Sequence, residues 1–256
     1  MLDKIITGGT VVTPAGTGQW DVAITEEKIV AVALPGILPT EGASIIDATG
    51  KIVVPGGIET HVHAASNVQP GARQIVDDAP NAGPLEHSLG AIWGGTTTVL
   101  DFAPVPNDGD LAAGIHDYIS VWRGNSYTDY SAHCIYTSNN TPDAISRYSE
   151  LISAGFPSIK VFTTDIRPPE ARSSTLTPIG KIDVGRLEHL MSQIARHGGV
   201  LAVHGEDDEL VMYNYLLAQQ RGLWDWYNVH RIHSKLVEEL AFQQVVRVAE
   251  RTSAGM

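Results

Sequence analysis

The chain has 256 residues, with 17 Lys+Arg against 29 Asp+Glu and a formal net charge of −12. So acidic a chain lacks the cationic surface that displaces counterions from a duplex, which excludes nucleic-acid binding as its principal role. With 43% apolar and 18% charged residues it has ample material for a packed core, which excludes global disorder.

The first residues, Met-Leu-Asp-Lys-Ile-Ile-Thr-Gly-Gly, carry neither the basic nor the apolar run of a secretory leader. No stretch approaches the ~18 uncharged apolar residues of a spanning helix, so no membrane role is expected. Cys134 is the single cysteine and has no partner for an internal disulfide, which fits a cytoplasmic setting.

Residues 1–54 contain short β-branched runs at Ile5-Ile6, Thr10–Thr13, Asp21–Ile24, Ile29–Val32 and Ser44–Ile46, separated by turn formers. They predict a small antiparallel β module. The run Ile52–Ile58 is apolar enough for a buried strand and leads into a second region, 55–256. There the pattern becomes strand, loop, helix, repeated. Strands are predicted over Thr98–Phe102, Ser131–Tyr136, Ile159–Phe162 and Val200–Val203. Helices are predicted over Asp110–Val121, from a Thr141 cap to Gly155, from an Asp183 cap to Arg196, and across Leu236–Val246. Counted from Ile52, five strands each precede helical sequence, an alternation that argues a parallel sheet with helices outside. A closed eight-stranded barrel takes ~250 residues, and about 200 remain after the β module, so the sheet is either open or a barrel cut short.

The strongest chemical signal is Gly57-Ile58-Glu59-Thr60-His61-Val62-His63. On a strand, residues i and i+2 face the same side, so His61 and His63 can offer two imidazoles to one metal ion. In Ser158-Ile159-Lys160-Val161-Phe162 a lysine interrupts an apolar strand, where a cation is costly to bury. Lys160 either snorkels or pairs with a carboxylate, or its amine has taken up carbon dioxide to become a carbamate that bridges two cations. His204 ends the next strand and is, alone, ambiguous between ligand and packed core histidine. Taken together, His61, His63, Lys160 and His204 stand in order at three strand ends. His133 fits a supporting structural role, and His87, His116, His189 and His197 read as helix surface or packing groups. His230 and His233 line a pocket or merely approach a helix cap. Asp77-Asp78 and Glu206–Glu209 read as solvated faces or caps. Neither a phosphate loop nor a Gly-x-Ser-x-Gly elbow is present, and Cys134 lacks a nucleophile motif.

The segments Ile5-Ile6-Thr7-Gly8-Gly9, Asp47–His63, Gly94–Phe102, Asp129-Tyr130 with His133, Lys160-Val161-Phe162 and His204–Asp207 resemble the hydantoinase/dihydropyrimidinase branch of the amidohydrolase superfamily. The resemblance runs over essentially the whole chain. It implies a (β/α)8 barrel of TIM type, here with about five βα units, and part of a small N-terminal β-sandwich. It also implies two divalent metal ions, usually zinc, with His61 and His63 on the more buried one, a carbamylated Lys160 bridging, and His204 on the second. The implied activity is hydrolysis of a ring amide C–N bond in a small cyclic substrate.

Two departures bear on substrate. Glu59 stands where the family usually has aspartate. Five residues past Lys160, where the family carries a tyrosine that polarises the carbonyl, stands Asp165, an anion that would oppose a developing oxyanion. Asp165 is therefore a substrate-side candidate, and an allantoinase- or dihydroorotase-like hydrolase, or a non-catalytic scaffold relative, stays open. The family pattern continues to a sixth strand with another histidine and an eighth with an aspartate. The expectation is accordingly an N-terminal portion that associates with a missing C-terminal half, or forms a homo-oligomer.

Overall fold

The computed structural model describes residues 1–68, 82–165, 180–223 and 225–254. The chain forms two compact units, Met1–Gly57 and Ile58–Met256.

In the first unit, β1 (Lys4–Thr7), β2 (Thr10–Thr13), β3 (Gly16–Gln19), β4 (Asp21–Thr25), β5 (Lys28–Ala33), β6 (Ser44–Asp47) and β7 (Ile52–Val53) make two sheets, ordered β5-β4-β1-β6 and β3-β2-β7. Ile5, Val11, Val22, Ala23 and Ala48 are its buried apolar residues. The expected antiparallel module is only partly correct, since β1 pairs with β6, and β2 with β7, in parallel. Turn spacing reports which strands are hairpin neighbours in the chain. It does not report a later strand returning beside an earlier one in the same direction.

The single buried strand expected over Ile52–Ile58 is also corrected. Pro55 has no N–H to give a ladder, so pairing stops at Val53 and resumes in β8 (Gly57–Glu59), which belongs to another sheet. Ile52 and Ile58 are 71% and 64% exposed.

The second unit is α/β. Its sheet has the order β12-β11-β10-β9-β8, with β9 (Thr96–Pro104), β10 (Asp129–Ile135), β11 (Ser158–Phe162) and β12 (Val200–His204) paired in parallel. Between and after the strands lie α1 (Pro84–Trp93), α2 (Leu111–Tyr118), α3 (Pro142–Ser146), α4 (Tyr148–Ser153), α5 (Val184–His197), α6 (Asp208–Gln220), α7 (Val229–Ile232) and α8 (Lys235–Thr252). The caps read from sequence are real hydrogen bonds. Thr141 accepts from the Ala144 N–H, and Asp183 from the Arg186 N–H. Gly199, at φ +111°, lets the chain pass from α5 into β12. A Cβ there would run into the Tyr148 hydroxyl and lie 2.6 Å from the Pro157 carbonyl.

The period of two along these strands sorts the side chains onto two faces. Val99, Ala103, Ala132, Cys134, Ile159, Val161 and Leu201 pack into the core that also holds Trp122, Tyr148, Leu187, Met191 and Val245 from the covering segments. The alternate positions carry Phe102, His133, Ile135, Lys160, Phe162 and His204. Among these, Phe102, Ile135 and Phe162 form a small apolar cluster of their own. Register sets His133 beside Phe102, Ile135 beside Lys160, and Phe162 beside His204. No helix among the described residues is long and apolar enough to cross a membrane.

Candidate functional site

β8 ends at Glu59, so His61 and His63 lie in the chain just past the strand rather than on it. Glu59 secures that exit, since its carboxylate accepts the His61 backbone N–H at 2.7 Å. The two imidazoles nevertheless come together, with ring centroids 5.5 Å apart. Both rest on Phe102, His61 at 4.8 Å and His63 stacked at 4.4 Å. His133 stacks on the same ring at 5.0 Å, and Lys160 Nζ lies 5.4 Å from its centroid. Phe102 is thus the hub of three imidazoles and an amine. Sequence reasoning missed this, because an aromatic residue in a strand reads as core.

Lys160 is 4% exposed. Its Nζ sits between two rings, 5.0 Å from Phe162 on the other side, and has no carboxylate partner among the described residues. Among the described residues it therefore neither pairs with a carboxylate nor snorkels, and burial lowers its pKa. Burial and the neighbouring Lys160 hold His61 below its ordinary value. Burial and the neighbouring His61 push His63 down to about 4. Burial also lowers His133, although the hydrogen bond it donates from Nε2 to the Thr60 carbonyl at 2.9 Å opposes this. That bond ties the exit of β8 to β10. It also leaves the other ring nitrogen of His133, Nδ1, buried and without a partner among the described residues. The cluster is a set of imidazoles whose pKa values are lowered, around an amine with no carboxylate partner among the described residues.

These shifts predict the acid behaviour of the metal-free chain. The three histidines titrate near 6.5 when unfolded and lower when folded, so the unfolded state binds more protons as pH falls below 6.5. Their contribution is complete above 6.5 and is lost toward pH 4. Discounted for the solvent that still reaches His63, the expected loss between pH 7.5 and 5 is about 1 kcal/mol. Urea midpoints at the two pH values measure it, and identical midpoints would contradict the neutral cluster.

His204 lies one aromatic ring away, 5.6 Å from Phe162. Its Nε2 donates to Glu206 Oε2 at 2.8 Å, while His233 Nδ1 donates to Glu206 Oε1 at 2.7 Å and the Tyr215 hydroxyl bonds His233 Nε2 at 3.0 Å. The reading of Glu206 as a solvated residue is corrected. It is 8% exposed, and burial would raise its pKa, but the hydrogen bonds from His204 and His233 bring it to about 2. Asp207 is the cap of α6, accepting from the Leu210 N–H. Asp77-Asp78 lies outside the described residues. Asp165 is 9% exposed, and its backbone N–H donates to Asp208 Oδ1 at 3.1 Å. Thr164 Oγ1 donates to the same atom, and Lys181 pairs with Oδ2 at 2.7 Å, so Asp208 locks the end of β11 to the start of α6. Cys134 is fully buried, and burial pushes its thiol up to about 12, which leaves no nucleophile.

The structure therefore brings His61, His63 and Lys160 together around Phe102, with His204 across Phe162, near enough to help lower the His61 pKa and held against Glu206. Among the described residues, no group of three or more His, Cys, Asp or Glu side chains is arranged to hold a metal ion.

No family model matches the chain. The D-hydantoinase of Streptomyces coelicolor is 27% identical over 255 residues, covering 98% of this chain and 50% of that protein. The dihydropyrimidinase of Arabidopsis thaliana is 34% identical over 160 residues, 62% of this chain and 28% of that protein. Among solved structures, the D-hydantoinase of Bacillus sp. AR9 superposes with a TM-score of 0.81 at 26% identity, over 98% of this chain and 50% of that one. The chain spans about half the length of the curated D-hydantoinases it matches. In sequence and in fold the chain is thus similar to the N-terminal part of D-hydantoinases and dihydropyrimidinases.

Proposed function

We propose that the chain supplies the ligand-bearing strand ends of a metal-dependent cyclic amidohydrolase, which adds water across a ring amide C–N bond. The observation that carries this reading is Lys160, a buried amine with no counter-charge among the described residues, sharing the Phe102 ring with His61 and His63. In this reading the parallel sheet is part of a (β/α)8 barrel, and the strands of 1–54 are part of a small β-sandwich. The substrate is a small cyclic amide, and the working unit is an oligomer in the cytoplasm.

The donor set fits two divalent cations, zinc by preference. Neutral imidazoles at His61 and His63 need shed no proton to bind a cation, and Nδ1 of His133, without a partner among the described residues, is a further buried lone pair beside them. His61, His63, Lys160 and His204 would hold the pair. When bound, it would supply Lewis acidity to a ring carbonyl and lower the pKa of water toward neutrality.

The protein's own groups prepare this. Burial keeps a larger share of Lys160 as free amine, the form that attacks carbon dioxide. A bond forms from Nζ to carbon, one C=O π pair moves to oxygen, and the displaced N–H proton leaves to solvent. The carbamate that results is an anion with two oxygens, in a place where an ammonium has no carboxylate partner among the described residues. Phe102 and Phe162 shield it from water. Asp165, five residues on, is the candidate that selects the substrate.

The full chain, prepared with zinc and bicarbonate, tests this by metal analysis and by the mass of the Lys160 peptide under non-acidic conditions. The expected result is bound metal and the added mass of one carbon dioxide; absence of both overturns the proposal. A panel of hydantoins, dihydropyrimidines and lactams then separates substrates, and binding partners retained by the His61→Ala chain, with no hydrolysis by wild type, favour the scaffold reading.

A further inference from the structure

We propose that Glu206 is the positioning residue that sets the tautomer and ring orientation of His204, so that His204 presents Nδ1 to a cation; this rests on the reading of His204 as a ligand. Glu206 is placed from several sides. Its backbone N–H donates to Thr163 Oγ1 at 2.8 Å, and its carbonyl accepts from the same hydroxyl at 2.7 Å, so the residue is tied to the end of β11. Gly205 lets the chain pass close beneath α8, since a Cβ there would come within 3.1 Å of the Phe242 ring. The carboxylate is gripped by His233 at 2.7 Å, and His233 is itself held by the Tyr215 hydroxyl and by a backbone bond to the Val229 carbonyl. One carboxylate oxygen is therefore occupied by His233, just past α7, and the other faces the His204 ring.

A carboxylate only accepts, so the 2.8 Å contact requires the proton of neutral His204 to sit on Nε2. The lone pair is then on Nδ1, which makes no hydrogen bond among the described residues. A histidine whose ring can spin loses both orientation and tautomer. Carboxylates that hold the second nitrogen of a ligating imidazole are worth ~10–100-fold in metal affinity. His233 and Tyr215 act one step further out, by keeping the carboxylate from turning.

Long-range proton–nitrogen spectra of the full, metal-free chain labelled with ¹⁵N-histidine read the tautomer directly, and zinc titration reads affinity. The wild type is expected to show His204 protonated at Nε2. Glu206→Gln, whose amide can donate as well as accept, should mix the tautomers and weaken zinc binding ~10–100-fold, while Glu206→Asp restores part of both. His233→Gln should keep the His204 tautomer and weaken zinc less than the Glu206→Gln change. A wild-type His204 protonated at Nδ1, or a Glu206→Gln chain with an unchanged tautomer, overturns the proposal. If the tautomer shifts as stated but wild type binds no zinc, the positioning role stands and the metal reading falls.

Discussion

Replacing Lys160 with methionine is expected to lower zinc affinity by more than the ~100-fold that loss of an outer partner costs, and to stabilise the metal-free chain by about 1 kcal/mol. The two effects have one cause. An amine between Phe102 and Phe162, with no carboxylate partner among the described residues, costs folding free energy whenever it is charged. Methionine nearly matches its length, contributes no charge, and gains sulfur–aromatic contact with both rings. The sign of the pH dependence follows. Folded Lys160 titrates below its ordinary 10.5, so the unfolded chain binds the extra proton in that window and wild-type stability rises with pH up to 10.5. The advantage of methionine should therefore shrink over the same range. Urea unfolding of both chains in chelator, with and without zinc and bicarbonate, measures both effects. A methionine chain that keeps its zinc, or is less stable than wild type at pH 7, ends this account of Lys160.

That a site should be less stable than its neutral replacement explains why so much of it is legible in sequence. A strand whose neighbours are all apolar has one economical way to carry a lysine, which is to use it. Ser158-Ile159-Lys160-Val161-Phe162 announces that conflict within five letters. The helix-side face is legible for the same reason. Its period-two partners, Ile159 and Val161 in β11 and Ala132 and Cys134 in β10, alternate with the positions that carry chemistry.

What stays hidden has no local signature. Phe102 looks like any strand aromatic until its ring is seen to carry His61, His63, His133 and Lys160. Glu206 and His233 are 27 residues apart, and only the return of the chain through α6 and α7 joins them. β3 is Gly-Thr-Gly-Gln, with no apolar alternation to mark it, and exists by pairing with β2. The parallel pairing of β1 with β6 is equally silent, because strand direction is decided by the intervening path and not by the residues paired.

Asp101→Ala is expected to cost about 3–5 kcal/mol of stability, with no contact to any proposed ligand broken directly. Asp101 and Trp122 are both fully buried. Asp101 Oδ2 accepts the Ala65 N–H at 2.7 Å and the Trp122 indole N–H at 2.9 Å, and Oδ1 accepts the Phe102 N–H at 2.7 Å. Alanine leaves all three donors buried without an acceptor, the costly direction of loss. Burial raises the Asp101 pKa although its three donors pull it down, so the charge itself is a net penalty that grows as pH rises from 3.8 through the folded value. Asparagine removes that penalty, and with its oxygen in the Oδ2 place it still serves Ala65 and Trp122, setting only its amide against Phe102. It should therefore lose less than alanine, about 1–2 kcal/mol. The consequence reaches the site through the backbone. Ala65 lies two residues past His63, so freeing its N–H releases the segment that stacks His63 on Phe102. Urea unfolding followed by Trp122-sensitive fluorescence measures the loss, and zinc titration of the alanine chain against the asparagine chain, which keeps the Ala65 bond, measures the release. An alanine variant within 1 kcal/mol of wild type would mean that those three donors find other acceptors and that the anchor beneath the histidine pair lies elsewhere.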